Sequence, residues 1–367
     1  MKIIQKIIKD RILLISLLLA VASLLFCRPT RIDIDWNTII SLLMLMISIQ
    51  IVQYSGLLIF ISQTLTKYTS NTRNLVTLFV LISFFSSMFL TNDVAIISLI
   101  PLLAITLKNT KVFKGYPVIL ICLAANLGSM FTPIGNPQNL FLFNFFHLKI
   151  KDFFTLGFPI CLVSLLVLLG LCRMYPKVKV DSLATNTTKI SVKNLVVALI
   201  TFLFVILSII NLIPMEVALV LAIINTIIVD KKIFMDVDYS ILITFICFFI
   251  AVSGVKQLGI IAAILNNVGN NKFYIYYSSI LFSQVFSNVP TAILIAPFTN
   301  HYAAIYLGTN IGGLGTPVAS LANLLAYKQF KLNFPEEKQK RYVVIYTVCN
   351  VLLLIPLVSL GLYLLAK

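Results

Sequence analysis

Apolar runs of 15 to 30 residues follow one another from Ile12 to Ala366, and the longest polar stretch between them, residues 173–193, has only 21. Hydrocarbon offers backbone amides no partner, so such a chain crosses a bilayer only as helices or as a closed barrel. Barrel strands alternate apolar and polar positions over about 10 residues, and these runs do not. The pattern predicts an all-α polytopic membrane protein. Composition agrees: 60% hydrophobic and 11% charged residues, against roughly 45–50% and 25% in a soluble domain, leave too little charge to coat a water-facing surface. The polar stretches leave no room for an attached soluble catalytic or nucleotide-binding domain. There is no G-x-x-x-x-G-K-[ST] loop, so ATP is not expected as the direct energy source.

The formal charge of +16 reads as Lys- and Arg-rich cytoplasmic loops, not as nucleic-acid binding. Cys27, Cys122, Cys161, Cys172, Cys247 and Cys349 lie in or beside apolar runs with no C-x-x-C pair. They read as packing or lipid-facing residues rather than metal ligands or disulfides. No cofactor is expected. The basic leader MKIIQKIIKDR and the run 12–27 lack an A-x-A cleavage pattern, so they read as a first helix.

Membrane segments are expected at residues 12–27, 37–54, 75–107 (a hairpin), 115–146, 153–172, 194–212, 215–230, 239–254, 272–300 (a hairpin), 301–327 and 342–366. With the N-terminus inside and both hairpins returning to their own side, 21 of 28 Lys and Arg fall inside. Arg28, Arg31, Lys149, Lys151, Lys256, Lys272 and Lys367 fall outside. The positive-inside rule then predicts the N-terminus cytoplasmic and the C-terminus outside, and the expected location is a bacterial plasma membrane.

Three segments recur. Residues 34–57 match 237–260, pairing Asp35 with Asp238 and Gly56 with Gly259. TNDVAIISLIP (91–101) matches SNVPTAILIAP (287–297), and NLGSMFTPIGNPQNL (126–140) matches NIGGLGTPVASLANL (310–324). The expected topology puts Asp35 outside and Asp238 inside, so the copies run in opposite directions. Inverted repeats with interrupted helices are a signature of secondary transporters that bind substrate near the midplane. The expected organisation is an N-terminal helix (1–34), a first repeat (35–172), a cytoplasmic linker (173–193) and a second repeat (194–367).

Polar groups inside a membrane are costly, so they mark function. Of the twelve acids, only Asp93 lies deep in an apolar context; His147 and His301 sit at segment edges and receive no role. The run 76–106 would make two arms of about 15 residues, roughly 22 Å each and short for a full crossing. It reads as a re-entrant hairpin with its tip at Thr91, Asn92 and Asp93. The opposing tip is Ser287, Asn288 and Val289, followed by Pro290 and Thr291. Hairpin tips expose carbonyls that suit a cation and N–H groups that suit an anion. Two broken helices add Asn126, Gly128, Thr132, Pro133, Gly135, Asn136 and Asn139 in the first repeat. The second contributes Asn310, Gly312, Thr316, Pro317, Ser320 and Asn323. These are the candidate substrate- and ion-binding residues.

TNDVAIISLIP, the N-[LI]-G-x-x-x-T-P-[IV] stretches, GNPQN and SNVPT resemble the ion transporter superfamily. That group includes arsenite permeases, citrate and dicarboxylate carriers related to divalent anion:sodium symporters, and sodium/proton antiporters. The resemblance covers nearly the whole chain. Its second half looks most like arsenite permeases, and its first half like citrate-transporter-like anion permeases. Dicarboxylate carriers read Ser-Asn-Thr at both tips, and this chain departs from that at Thr91, Asp93 and Val289. The resemblance implies eleven segments, elevator-type alternating access, arms at 57–67 and 260–267 that join scaffold to hairpin, and a homodimer. The leading reading is a secondary active transporter of a small anionic or metalloid substrate (carboxylate, inorganic oxyanion or arsenite-like), coupled to sodium or protons. The alternative is a sodium/proton antiporter with Asp93 as the shared site. One deep acid without grouped His, Cys or Glu argues against an enzyme.

Overall fold

The structure is a computed structural model and describes residues 11–25, 28–29, 34–67, 69–108, 110–179, 190–257 and 269–367. Among them are seventeen α-helices. The first half contains α1 (Arg11–Leu24), α2 (Trp36–Tyr54), α3 (Leu57–Thr66), α4 (Thr72–Leu90), α5 (Asn92–Leu107), α6 (Gly115–Ser129), α7 (Pro137–Phe145) and α8 (Ile150–Arg173). The second contains α9 (Val192–Ile209), α10 (Met215–Val229), α11 (Ile233–Asp236), α12 (Tyr239–Gln257), α13 (Lys272–Phe286), α14 (Asn288–Ile295), α15 (Tyr302–Gly312), α16 (Leu321–Asn333) and α17 (Gln339–Ala366). By length and composition α2, α4, α8, α9, α12 and α17 can each cross a bilayer.

The sequence places local stops where the elements change. The Asp35 carboxylate caps α2, accepting from the Thr38 amide at 3.1 Å and its hydroxyl at 2.6 Å. Gly56, at φ +76°, turns the chain from α2 into α3 without a side-chain clash. The second connecting arm, Gly259 included, lies outside the described residues, as does Cys27. The five cysteines that are described are buried and unpaired.

Both hairpins form, with unequal arms. The first has 19 and 16 residues rather than about 15 each, because Asn71 caps α4 so that it starts four residues before the apolar run. The second has 15 residues and then 8, closed by a 3₁₀ turn, Ala296–Phe298, at Pro297. Both long segments at 115–146 and 301–327 break, over residues 130–136 and 313–320. The last helix of the second pair runs to Asn333, past the expected end at 327. Its polar final turns continue because a helix satisfies its own backbone in or out of hydrocarbon.

Packing follows the repeat. In the first copy α4 lies along α6, and in the second α13 lies along α15. Gly128 sits against Phe84 and Ser87, and Gly312 against Ile280 and Ser283, the repeat-equivalent pair. The second arms cross over: α5 packs on α16, and α14 on α7. Each repeat therefore closes on the other. Helices α1, α2, α9, α10 and α12 pack mainly among themselves, and α4–α8 pack with α13–α17. The junction runs through α2 on α7 and α12 on α14, with Phe141 against Phe245 and Phe249. Residues 175–178 strap the start of α4 to the end of α8. There Arg73 donates to the Tyr175 carbonyl, the Thr72 hydroxyl to that of Pro176, and the Thr72 amide to that of Val178.

A methyl at Gly128 or Gly312 drives a tightly packed helix pair apart. Gly128→Ala and Gly312→Ala should each cost about 1–3 kcal/mol and lower the melting temperature in detergent. Gly170→Ala, where an added Cβ meets nothing within 4 Å, should leave it unchanged.

Candidate functional site

The hairpins turn at Thr91 (φ 66°, ψ 155°) and Ser287 (φ 76°, ψ 156°). Neither is glycine, and this region costs other residues about 1–3 kcal/mol. The same costly turn at both tips is what a preserved two-fold relation would give. The next side chain folds back in each copy: Asn92 Oδ1 accepts from the Asp93 amide at 3.0 Å, and Asn288 Oδ1 from the Val289 amide at 2.9 Å. Thr291 returns its hydroxyl to the Ser287 carbonyl.

The breaks in the two long helices leave carbonyls without helical partners. Asn139 Nδ2 donates to the carbonyls of Ser129, Met130 and Thr132, at 3.0–3.3 Å. Its counterpart Asn323 donates to Gly313 and Thr316, at 2.9 and 3.2 Å. Thr132 and Thr316 give their hydroxyls to the ends of the hairpins' first arms, at Met88 and Gln284. The repeats then clasp each other. Asn126 Nδ2 donates to Asn323 Oδ1 at 2.8 Å, and Asn310 Nδ2 to Asn139 Oδ1, also at 2.8 Å. Asn136 and Ser320, the residues just before α7 and α16, donate to Asn310 Oδ1 and Asn126 Oδ1, at 3.2 and 3.1 Å. Asn92 joins the ring through Asn126 Oδ1 at 3.1 Å. Through these bonds Asn126, Asn139, Asn310 and Asn323 tie the two broken helices together.

The two tips do meet. Asn92, Asp93, Asn288, Val289 and Pro290 line one cavity with Pro137, Gln138, Ser320, Leu321 and Ala322, closed on one side by Ile241, Thr244 and Phe245 of α12. Every lining residue outside α12 lies at the start of α5, α7, α14 or α16. Four helix N-termini thus converge on one space, each worth roughly half a positive charge. Among the described residues no Lys or Arg lines it, and Asp93 supplies its carboxylate. Of the residues proposed from sequence, Asn92, Asp93, Asn288, Pro290 and Ser320 reach the cavity. The remaining ones build the turns and breaks behind it: Thr91, Ser287, Thr291, Gly128, Gly312, Thr132, Pro133, Gly135, Asn136, Thr316, Pro317 and the four clasp asparagines. Sequence reading passed over Gln138, although it stands inside GNPQN. The α12 residues carried no signal, because their place at the cavity depends on which helices pack against α12.

Removing a clasp amide orphans carbonyls at membrane depth. Asn139→Ala and Asn323→Ala should each lose about 1–3 kcal/mol, with similar falls in melting temperature. The double variant Asn126→Ala/Asn323→Ala should lose less than the sum of its single changes.

A family profile described as citrate transporter matches residues 3–304. An uncharacterized transporter of Methanocaldococcus jannaschii is 33% identical over 329 residues, covering 89% of each chain. The inner membrane protein YbiR of Escherichia coli is 31% identical over 298 residues, 80% of each chain. Among solved structures, the YdaH transporter of Alcanivorax borkumensis superposes with a TM-score of 0.57 over 90% of this chain and 85% of that one, at 15% identity, a likeness of fold. The fold is that of an inverted-repeat transporter, and the relatives make the chain a permease rather than an enzyme. This chain is an integral membrane transporter and belongs to the citrate transporter family.

Proposed function

We propose that this transporter carries a small anion, bound where the four helix N-termini converge, and that Asp93 takes the coupling cation, a proton or sodium. The convergence is the observation that carries this reading. Unsatisfied first-turn N–H groups and aligned peptide dipoles favour negative charge. Asp93 shares the cavity, and two negative charges at close range in a weakly screened site call for a cation to travel with them.

The packing supports an elevator. The body of α4–α8 and α13–α17 carries the cavity, and α1, α2, α9, α10 and α12 form the scaffold. Their junction is built largely of phenylalanine and aliphatic side chains, which can slide without breaking a hydrogen-bond ladder. The cavity lies beside the third, sixth and seventh residues of α12, about 8 Å from that helix's start at 1.5 Å per residue. With the N-terminus cytoplasmic, this is the inner end, so the cavity faces inward. The far end of α7 lies beside the start of α2, where Asn144 donates to Thr38 at 3.3 Å. Exchanging the roles of the repeats moves the start of α7 to that level, a shift of about 12 Å, the length of α7.

Electrical recording on proteoliposomes tests the cargo. Addition of citrate, succinate, sulfate, phosphate or arsenite, with sodium and pH varied independently, should give a current for at least one anion that depends on sodium or pH. Sodium–proton exchange that needs no anion would replace this reading by an antiporter. Asp93→Asn should abolish ion-coupled transport in a folded protein, and a variant with the ordinary ion dependence would remove Asp93 from coupling.

A further inference from the structure

Gln138 is 2% exposed and Thr244 is 6% exposed, and both line the cavity. Buried amides and hydroxyls almost always have a hydrogen-bond partner. Nearly every polar side chain around them has one, as the clasp shows. The Gln138 amide and the Thr244 hydroxyl bond to no described residue, so their hydrogen-bonding capacity is turned toward the cavity. They stand on opposite sides of the junction, Gln138 on α7 of the moving body and Thr244 on α12 of the scaffold. The repeat gives Thr244 a counterpart: Ser41, the sixth residue of α2 as Thr244 is the sixth of α12. Ser41 is 2% exposed and lines a second, separate cavity with Asp35, Asn37, Asn144 and His147 at the other end of the scaffold. Its hydroxyl likewise bonds to no described residue.

The geometry points to a handover: Gln138 holds the cargo anion throughout the cycle, and two scaffold hydroxyls take turns, Thr244 in the present state and Ser41 in the opposite one. This rests on the anion-carrying reading above and adds to it the residues that touch the cargo. The groups offered are neutral donors, an amide N–H and a hydroxyl beside backbone N–H groups. The fitting cargo is a carboxylate or oxyanion whose oxygens accept hydrogen bonds. Gln138 stays with the cavity because it belongs to the body that moves. Repeat exchange brings the cavity from the third, sixth and seventh residues of α12 to those of α2, which are Thr38, Ser41 and Leu42.

Two measurements on the full-length protein in proteoliposomes or detergent test this. Binding is followed by calorimetry with citrate, succinate, sulfate, phosphate and arsenite as probes. Gln138→Met, which keeps the length and removes the amide, should weaken binding of the anion that the unaltered protein takes about ten-fold, one hydrogen bond. Its melting temperature without anion should not change. Unaltered affinity overturns the Gln138 contact. Failure of the parent protein to bind any of the five overturns the anion reading and this contact with it. The alternation is tested separately, by cross-linking the pairs Gln138→Cys/Thr244→Cys and Gln138→Cys/Ser41→Cys with a short thiol-specific linker. Both pairs should cross-link, and trapping either should stop transport. A Ser41→Cys thiol that never reaches Gln138→Cys overturns the handover while leaving the anion reading standing.

Discussion

Everything in the carrier body depends on one constraint: a helix that breaks inside a membrane must find partners for the carbonyls it frees. Asn139 and Asn323 supply them, and each is held by an asparagine of the other repeat, Asn310 and Asn126. Because the partners cross over, neither broken helix is complete without the opposite repeat. This fuses two mirrored halves into one rigid unit and fixes where α7 and α16 begin. The hydroxyls of Thr132 and Thr316 pin the hairpins to the same breaks. The convergence of four helix starts on one cavity is therefore a product of the clasp, not an independent arrangement.

The two-fold relation is close in the backbone and incomplete in the packing. The turns at Thr91 and Ser287 agree, as do the clasp distances and the contacts of Gly128 and Gly312. Yet α12 meets α14 of its own hairpin, and α2 meets α7 instead of α5. The first break is buried, while Thr316 and Pro317 in the second are exposed. The two like halves thus sit unevenly against α2 and α12.

Much of this was legible in the sequence, and particular residues show why. The paired Asn, Gly, Thr and Pro of 126–140 and 310–324 announce two breaks, since apolar composition alone does not place polar residues at matching offsets. Thr91–Asp93 and Ser287–Val289 announce the turns, because each places a polar pair with an Asn near the middle of its run. What stayed hidden was the direction of each side chain. Asn126 and Asn139 look alike as ligands and as braces in sequence, and the bracing shows only in the crossed bonds. Gln138 carried no more weight in sequence than its neighbours Asn136 and Asn139, since a lining role depends on which side of a helix start faces the gap. Hairpin arm lengths were misjudged because a capping residue, Asn71, and not the end of the apolar run, sets where α4 begins.

The clasp is built from neutral amides and hydroxyls, and the described residues around the cavity include a single acid, Asp93, with no base. Voltage does work only on charge that moves, about 2.3 kcal/mol per elementary charge for each 100 mV. A core braced by salt bridges would set pairs of ions within that field. The clasp places none there, so among the described residues that line the cavity Asp93 is the one ionisable side chain on which the field acts directly.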